Sequence, residues 1–283
     1  MAYDDYELLT TKLDRGVAFV TIDHPPINLF DVALMVELNR MGQELEADDD
    51  IRAVVFDSAN PDFFIAHADV EMIEQLPANE TERPTELNIF HVLLERFRTM
   101  PKATMAKIEG VARGGGSEFL LALDMRFAAL GKAVLSQPEV ALGILPGGGG
   151  TQRLPRLLGR ARALEVILGC NDFPADLAER YGYVNRALPS AELGPFVESL
   201  AYRIASFPAH AIAQAKRAVI GGESEVVDGL LGEAECFNAT LGEDEARRRM
   251  RAFMEAGGQT PAFELAMGPQ LAETLGDSHD DGD

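Results

Sequence analysis

The chain has 283 residues, of which 47% are hydrophobic, so it can bury a sizeable core and is not a disordered polymer. Its formal net charge is −21, from 46 acidic against 25 basic residues, a field that opposes nucleic acid and anionic membrane as partners. Cys170 and Cys236 give neither a disulfide framework nor a metal-ligand spacing.

The first residues, "MAYDDYELLT", lack the basic and apolar regions of a signal peptide, and no apolar run reaches the roughly 18–20 residues that span a bilayer. A cytoplasmic chain is expected. "VAFVTID" (17–23) has strand composition and is broken by "HPPIN". Residues 31–46 carry apolar residues at helical spacing, with Asp31 placed to cap them. A second buried strand is expected over 52–59, helices over 69–76 and 86–100, and a third strand region over 102–112. "SEFLLALD" (117–124) reads as a buried helix, and "RFAALG" and "AVLSQPE" as short strands around a turn at Gly131. Beyond "LGILPGGGGTQRLPRLLG" the pattern turns helical, over 161–169, 174–181, 191–206, 208–220, 223–240 and 243–256. Residues from 257 onward are weakly periodic, and "GDSHDDGD" makes an acidic tail.

Two glycine-rich windows invite a chemical reading. "ARGGGSEF" would place Phe119 where a dinucleotide fingerprint needs its third glycine, and also where a nucleophile elbow needs its last. "LPGGGGTQ" lacks the Lys-Ser/Thr of a phosphate loop. Glycines at a helix start can instead free backbone N–H groups for a developing oxyanion, with the adjacent carboxylate of Glu118 handling protons. The plainer alternative is a tight turn packed on a sheet with Glu118 exposed.

The second window, "SQPEVALGILPGGGGTQRL" (136–154), adds Glu139 ahead of another glycine turn, and "FFIAHADVEMI" (63–73) precedes both. In order and spacing the three windows closely resemble the enoyl-CoA hydratase/isomerase (crotonase) superfamily, from about residue 7 to residue 256. The resemblance implies an α/β fold, a crotonase-like spiral of strand–strand–helix turns with a helical C-terminal trimerisation part. It divides the chain into a spiral core (1–200), a helical oligomerisation region (201–265) and an acidic tail (266–283).

It also supplies roles. The N–H groups of Ala68 and Gly115 would form an oxyanion hole for the thioester carbonyl of an acyl-CoA. Glu118 would activate water, Glu139 would protonate C2, and the N–H of Gly147 would lie near the same water. One carboxyl must be ionised while the other is protonated, so burial and mutual repulsion must lift at least one pKa from the free value of about 4.3. No cofactor or metal is implied, because the thioester is the electron sink. The expected assembly is a homotrimer or homohexamer.

The chain departs from the family at His67, where glycine is usual, and in lacking lysines around the first window for the coenzyme A phosphates. Histidine tolerates a positive φ better than most residues, so the loop is expected to keep its path with His67 at the edge of the site. Its imidazole would narrow the acyl pocket or contact the thioester; a partly buried structural histidine is the alternative. Arg113, Arg153 and Arg156 are candidate replacements. Hydration of a 2-enoyl-CoA is the expected activity. A Δ3–Δ2 enoyl-CoA isomerase and a non-catalytic assembly or binding protein on the same scaffold are the alternatives. "EARRRMRAF" (245–253) reads as a subunit contact or a surface salt-bridge face.

Overall fold

The computed structural model describes residues 3, 5–77, 83–223 and 226–267. The chain opens with an antiparallel hairpin, β1 (Leu9–Asp14) and β2 (Val17–Ile22). Helix α1 (Val32–Ala47) follows, and Asp31 caps it as expected by accepting the Leu34 N–H. From there the chain repeats a unit of one strand, a second strand and a helix.

The first unit is β3 (Ala53–Ser58), β4 (Phe63–Ile65), α2 (Val70–Glu74) and α3 (Ile89–Thr99). The second is β5 (Ala103–Ile108), β6 (Val111–Arg113) and α4 (Gly114–Ala122). The third is β7 (Met125–Ala129), β8 (Val134–Ser136) and a 3-10 turn at Glu139–Leu142. The first strand of each unit joins one sheet and the second strand joins another. A six-stranded sheet therefore runs β1-β2-β3-β5-β7-β10, and a four-stranded one β4-β6-β8-β9. Units stack in parallel register, with Val55 opposite Met105 in the large sheet and Val111 opposite Val134 in the small one. This is the expected spiral.

The remaining elements are α5 (Gly150–Leu158), α6 (Arg160–Gly169), β9 (Phe173–Pro174), α7 (Ala175–Tyr181), β10 (Arg186–Leu188) and α8 (Ser190–Ala205). Then come α9 (Ala209–Gly221), α10 (Val226–Leu241) and α11 (Asp244–Glu255). Helix α8 runs through the division expected at 200/201 and buries Leu193, Val197 and Ala201 against the large sheet.

Three expectations change. The region 102–112 is two strands in different sheets, separated at Gly110. Helix α4 starts at the glycines themselves, so its free N–H groups lie at Gly114–Gly116. The weakly periodic C-terminal stretch contains a helix, α12 (261–267), that buries Phe263, Glu264 and Met267. Residues 268–283 of the expected tail lie outside the described residues.

The main core lies between the sheets and their helices. Phe119 stands edge-on to Phe30, Phe56 and Phe97, with ring centroids 5.2–6.0 Å apart. Among the described residues no helix is long and apolar enough to cross a membrane.

Candidate active site

All nine residues of α4 are buried, because the helix is enclosed by α3, α5 and the small sheet. Glu118 is therefore not the exposed end of a turn. It is 2% exposed, and Glu139 is 8% exposed. Both border one cavity of about 420 Å³, whose wall is otherwise mainly apolar and includes Phe30, Met72, Ile89, Phe90, Ile144 and Phe237. Ala68, Gly115 and Gly147 border the same cavity. The three sequence windows thus converge on one place.

Ala68 follows β4 and pairs with Phe30, while Phe30 donates its N–H to the His67 carbonyl at 2.9 Å. The amides of Ala68 and Gly115 have no acceptor among the described residues. The two backbones are close: a Cβ on Gly115 would lie 2.9 Å from the Ala68 Cβ and 3.3 Å from its nitrogen. Glycine is needed at 115 for that approach.

The second glycine turn serves the carboxylates in alternation. Glu118 Oε1 accepts N–H groups from Gly148 at 2.7 Å and Gly150 at 2.8 Å. Glu233, from α10, accepts those of Gly149 at 2.5 Å and Thr151 at 3.0 Å. The Thr151 hydroxyl also donates to Glu233, and His91 Nε2 lies 3.2 Å from it. Gly147 borders the cavity, but the amides bonded to Glu118 are those of Gly148 and Gly150. Arg153 fixes the turn from below, donating to the Gly148 carbonyl at 2.6 Å while paired with Glu95 at 2.8 Å.

Burial pushes Glu118 up to about 8, and the neighbouring Glu233 adds to the rise; the Gly150 and Gly148 amides and Arg153 oppose it. Glu139 is raised well above the usual carboxylate range by burial and then by Glu118. Its own backbone N–H opposes the rise. With the Gln137 amide turned so that both its ends find partners, that side chain donates to both Glu139 oxygens at 3.1 Å.

His67 does not reach into the cavity. It is buried, lies outside the positive-φ region, and turns toward the C-terminal segment. There Nε2 meets Glu264 Oε1 at 3.0 Å and the ring stands edge-on to Phe253. The expected place of its imidazole on the acyl pocket is thus corrected to a buried, structural one. Arg113 and Arg153 are also corrected as candidates for phosphate binding. Arg113 is spent on Asp172, at 2.8 Å through two nitrogens, and on the Glu264 carbonyl. In α11, Glu245 pairs with Arg248 and Arg249 on the surface, whereas Met250 and Phe253 face inward.

Sequence reasoning missed Glu233, His91 and Glu264. Glu233 carried a usable signal: it falls on the stripe formed by Val226, Leu230, Ala234 and Leu241, where a carboxylate is costly unless bonded.

Comparison with known proteins identifies the family. Residues 12–264 match the enoyl-CoA hydratase/isomerase family. A short-chain-enoyl-CoA hydratase from Clostridium acetobutylicum is 32% identical over 241 residues, covering 84% of this chain and 91% of that relative. A crotonyl-CoA hydratase from Syntrophomonas wolfei is 31% identical over 252 residues, covering 88% and 96%. A crystal structure from Streptomyces avermitilis, assigned as an enoyl-CoA hydratase, superposes with a TM-score of 0.88 at 39% identity, covering 95% of this chain and 98% of that one. With the fold, the three windows and these relatives in agreement, the chain belongs to the enoyl-CoA hydratase/isomerase family.

Proposed function

We propose that the protein is an enoyl-CoA hydratase, a hydro-lyase that adds water across the double bond of a 2-enoyl-CoA thioester to give a 3-hydroxyacyl-CoA. The observation that carries this reading is the pair of buried carboxyls, Glu118 and Glu139, on one mainly apolar cavity beside two close backbone amides. The activities for which the short-chain-enoyl-CoA and crotonyl-CoA hydratase relatives are named support it.

The hydrogen bonds of Glu118 support the assignment of roles. Glu118 has two backbone donors on one oxygen, which favour its ionised form, so it takes the proton from water. The resulting hydroxyl bonds to C3, and the C2–C3 π electrons move into the thioester to form an enolate. The N–H groups of Ala68 and Gly115 stabilise the enolate oxygen, a contribution of about 10²–10³-fold per donor in comparable sites. Glu139 gives its proton to C2 as the carbonyl re-forms. One proton has then passed from Glu139 to the product and one from water to Glu118, and exchange with solvent resets the pair. The electron sink is the thioester itself, so no redox cofactor enters.

The test is addition of crotonyl-CoA to the purified protein, followed by absorbance at the enoyl-thioester band and identification of the product. Loss of that band with formation of 3-hydroxybutyryl-CoA is expected. Migration of the double bond in a 3-enoyl-CoA without water addition would replace the hydratase with an isomerase. Binding without turnover of either would leave an assembly or binding protein.

A further inference from the structure

The four amides from Gly148 to Thr151 are divided between two carboxylates that approach the turn from different helices. Even positions serve Glu118 on α4, and odd positions serve Glu233 on α10. The turn opens α5, whose cap residue Gly149 has no side chain to accept its free N–H groups. Glu233 fills that need from a distant segment, and the helix N-terminus in turn favours a negative charge there.

Rotating this turn by one residue would hand Glu118 the amides that Glu233 now holds. A Cβ at Gly148 would lie 2.6 Å from Glu118 Oε2, so the turn and the catalytic carboxylate are also in close contact. We propose that Glu233 is a positioning residue for the hydratase reaction, holding the 148–151 turn in the register that presents Gly148 and Gly150 to Glu118 and placing a second carboxylate on the same turn. This role rests on the hydratase reading only for its kinetic consequence.

The groups facing these two carboxylates define the effect. Glu118 faces Glu139 from the 3-10 turn, Arg153 from α5 and Glu233 from α10. Glu233 faces His91 from α3 and the Thr151 hydroxyl from α5. Behind Arg153 stand Glu95 and Arg98, both on α3. After burial, Glu233 is the largest influence holding Glu118 high, and Arg153 partly offsets it.

The two variants divide charge from position: Glu233→Asp alters position alone, whereas Glu233→Gln removes the charge and also one of the two accepting oxygens. Loss of the charge in Glu233→Gln should move the limb of the kcat/KM pH profile that reports Glu118 to lower pH, by about one unit. Glu233→Asp keeps the charge but is one methylene too short to hold both amides. It should leave that limb in place and lower kcat about tenfold, with KM nearly unchanged. A purely structural Glu233 would change stability and leave both readouts alone.

A second measurement does not depend on turnover. Infrared difference spectra across pH follow the protonated carboxyl of Glu118, identified by its absence in Glu118→Gln, and the titration should move to lower pH in Glu233→Gln. If crotonyl-CoA is not hydrated by the native protein, the hydratase reading falls and this titration still decides the role of Glu233. An unmoved titration in folded Glu233→Gln overturns the proposal. Should Glu233→Gln fail to fold, an unchanged kcat in Glu233→Asp overturns it instead, or, where the native protein shows no hydration, a Gly148–Glu118 contact unaltered in the crystal structure of Glu233→Asp.

Discussion

His67 and Glu264 meet at 3.0 Å, Nε2 to Oε1, and both are buried. His67 immediately precedes Ala68, while the Glu264 carbonyl accepts from Arg113, two residues before Gly115. One residue of α12 therefore touches both segments that carry the proposed oxyanion amides. Gln259 strengthens the link: its side chain accepts the Val70 N–H at 2.6 Å and its own N–H donates to Glu264 at 2.7 Å. The histidine that departs from the family pattern is an anchor for the C-terminal segment.

This pair gives stability a defined pH window. Burial alone would lower the His67 pKa, but Glu264 outweighs it and raises the value above 6.5. Burial would raise Glu264, yet His67 holds it below 4.5. The His67 contribution is complete below 6.5 and fades as pH rises through its folded value; that of Glu264 is complete above 4.5 and fades as pH falls through its own. Denaturation of the native protein and Glu264→Gln should therefore differ most between pH 4.5 and 6.5. Removing one partner of such a pair costs about 3–5 kcal/mol. A difference that does not vary with pH would show that the pair is not ionised.

Glu118→Gln and Glu139→Gln should each fold and lose about 10²–10⁴-fold in hydration rate, since both keep shape and lose proton transfer. In the native protein, kcat/KM should rise with pH toward about 8 as Glu118 ionises, then fall when Glu139 also loses its proton. Steady-state kinetics across pH check both statements. A near-native rate in either variant removes the two-carboxylate mechanism.

The strands, the Asp31 cap and the glycines beside carboxyls were legible as local signals, whereas the spiral and the convergence of the three windows were implied by the family resemblance and not by any sequence repeat. The partners of the site were not. Glu233 lies 115 residues beyond Glu118 in sequence (233 − 118), and only tertiary packing brings α10 against the 148–151 turn. Likewise α12 is short and carries a buried Glu264, so its apolar pattern is too weak to announce a helix. The first hairpin strand, "LTTKLD", has only Leu9 buried and shows little alternation.

Gly115→Ala tests the oxyanion pair directly. The added Cβ would lie 2.9 Å from the Ala68 Cβ, well inside van der Waals contact, so the two amides must separate. A loss of about 10²–10³-fold in kcat is expected, with a smaller change in KM. Full activity in a folded Gly115→Ala would place the enolate oxygen elsewhere.

Helix α9 buries none of its residues within one chain, and Val219 on it is 74% exposed. Phe207, just before it, is 45% exposed. Such a face favours burial against neighbouring subunits, and a trimer or hexamer is expected by light scattering at micromolar concentration. Val219→Lys should shift that assembly toward smaller species. A stable native monomer would overturn the oligomeric expectation.

The last prediction concerns what the raised carboxyl costs the fold. Glu118 has a folded pKa of about 8 against an ordinary value of 4.5, so folding favours its protonated form. That stability is complete below 4.5 and is lost progressively as pH rises toward 8. The Glu118→Gln variant carries no such penalty. Its single amide oxygen can take the place of Oε1, which accepts both the Gly148 and the Gly150 N–H groups. Glu118→Gln should therefore gain on the native protein as pH rises between those limits, at up to ~1.4 kcal/mol per pH unit, while remaining inactive. Thermal melts of the two proteins over that range, read beside the hydration rate, provide the check. Equal stability at every pH would mean that Glu118 ionises as freely folded as unfolded, and the site would then hold no carboxyl tuned for exchange near neutral pH.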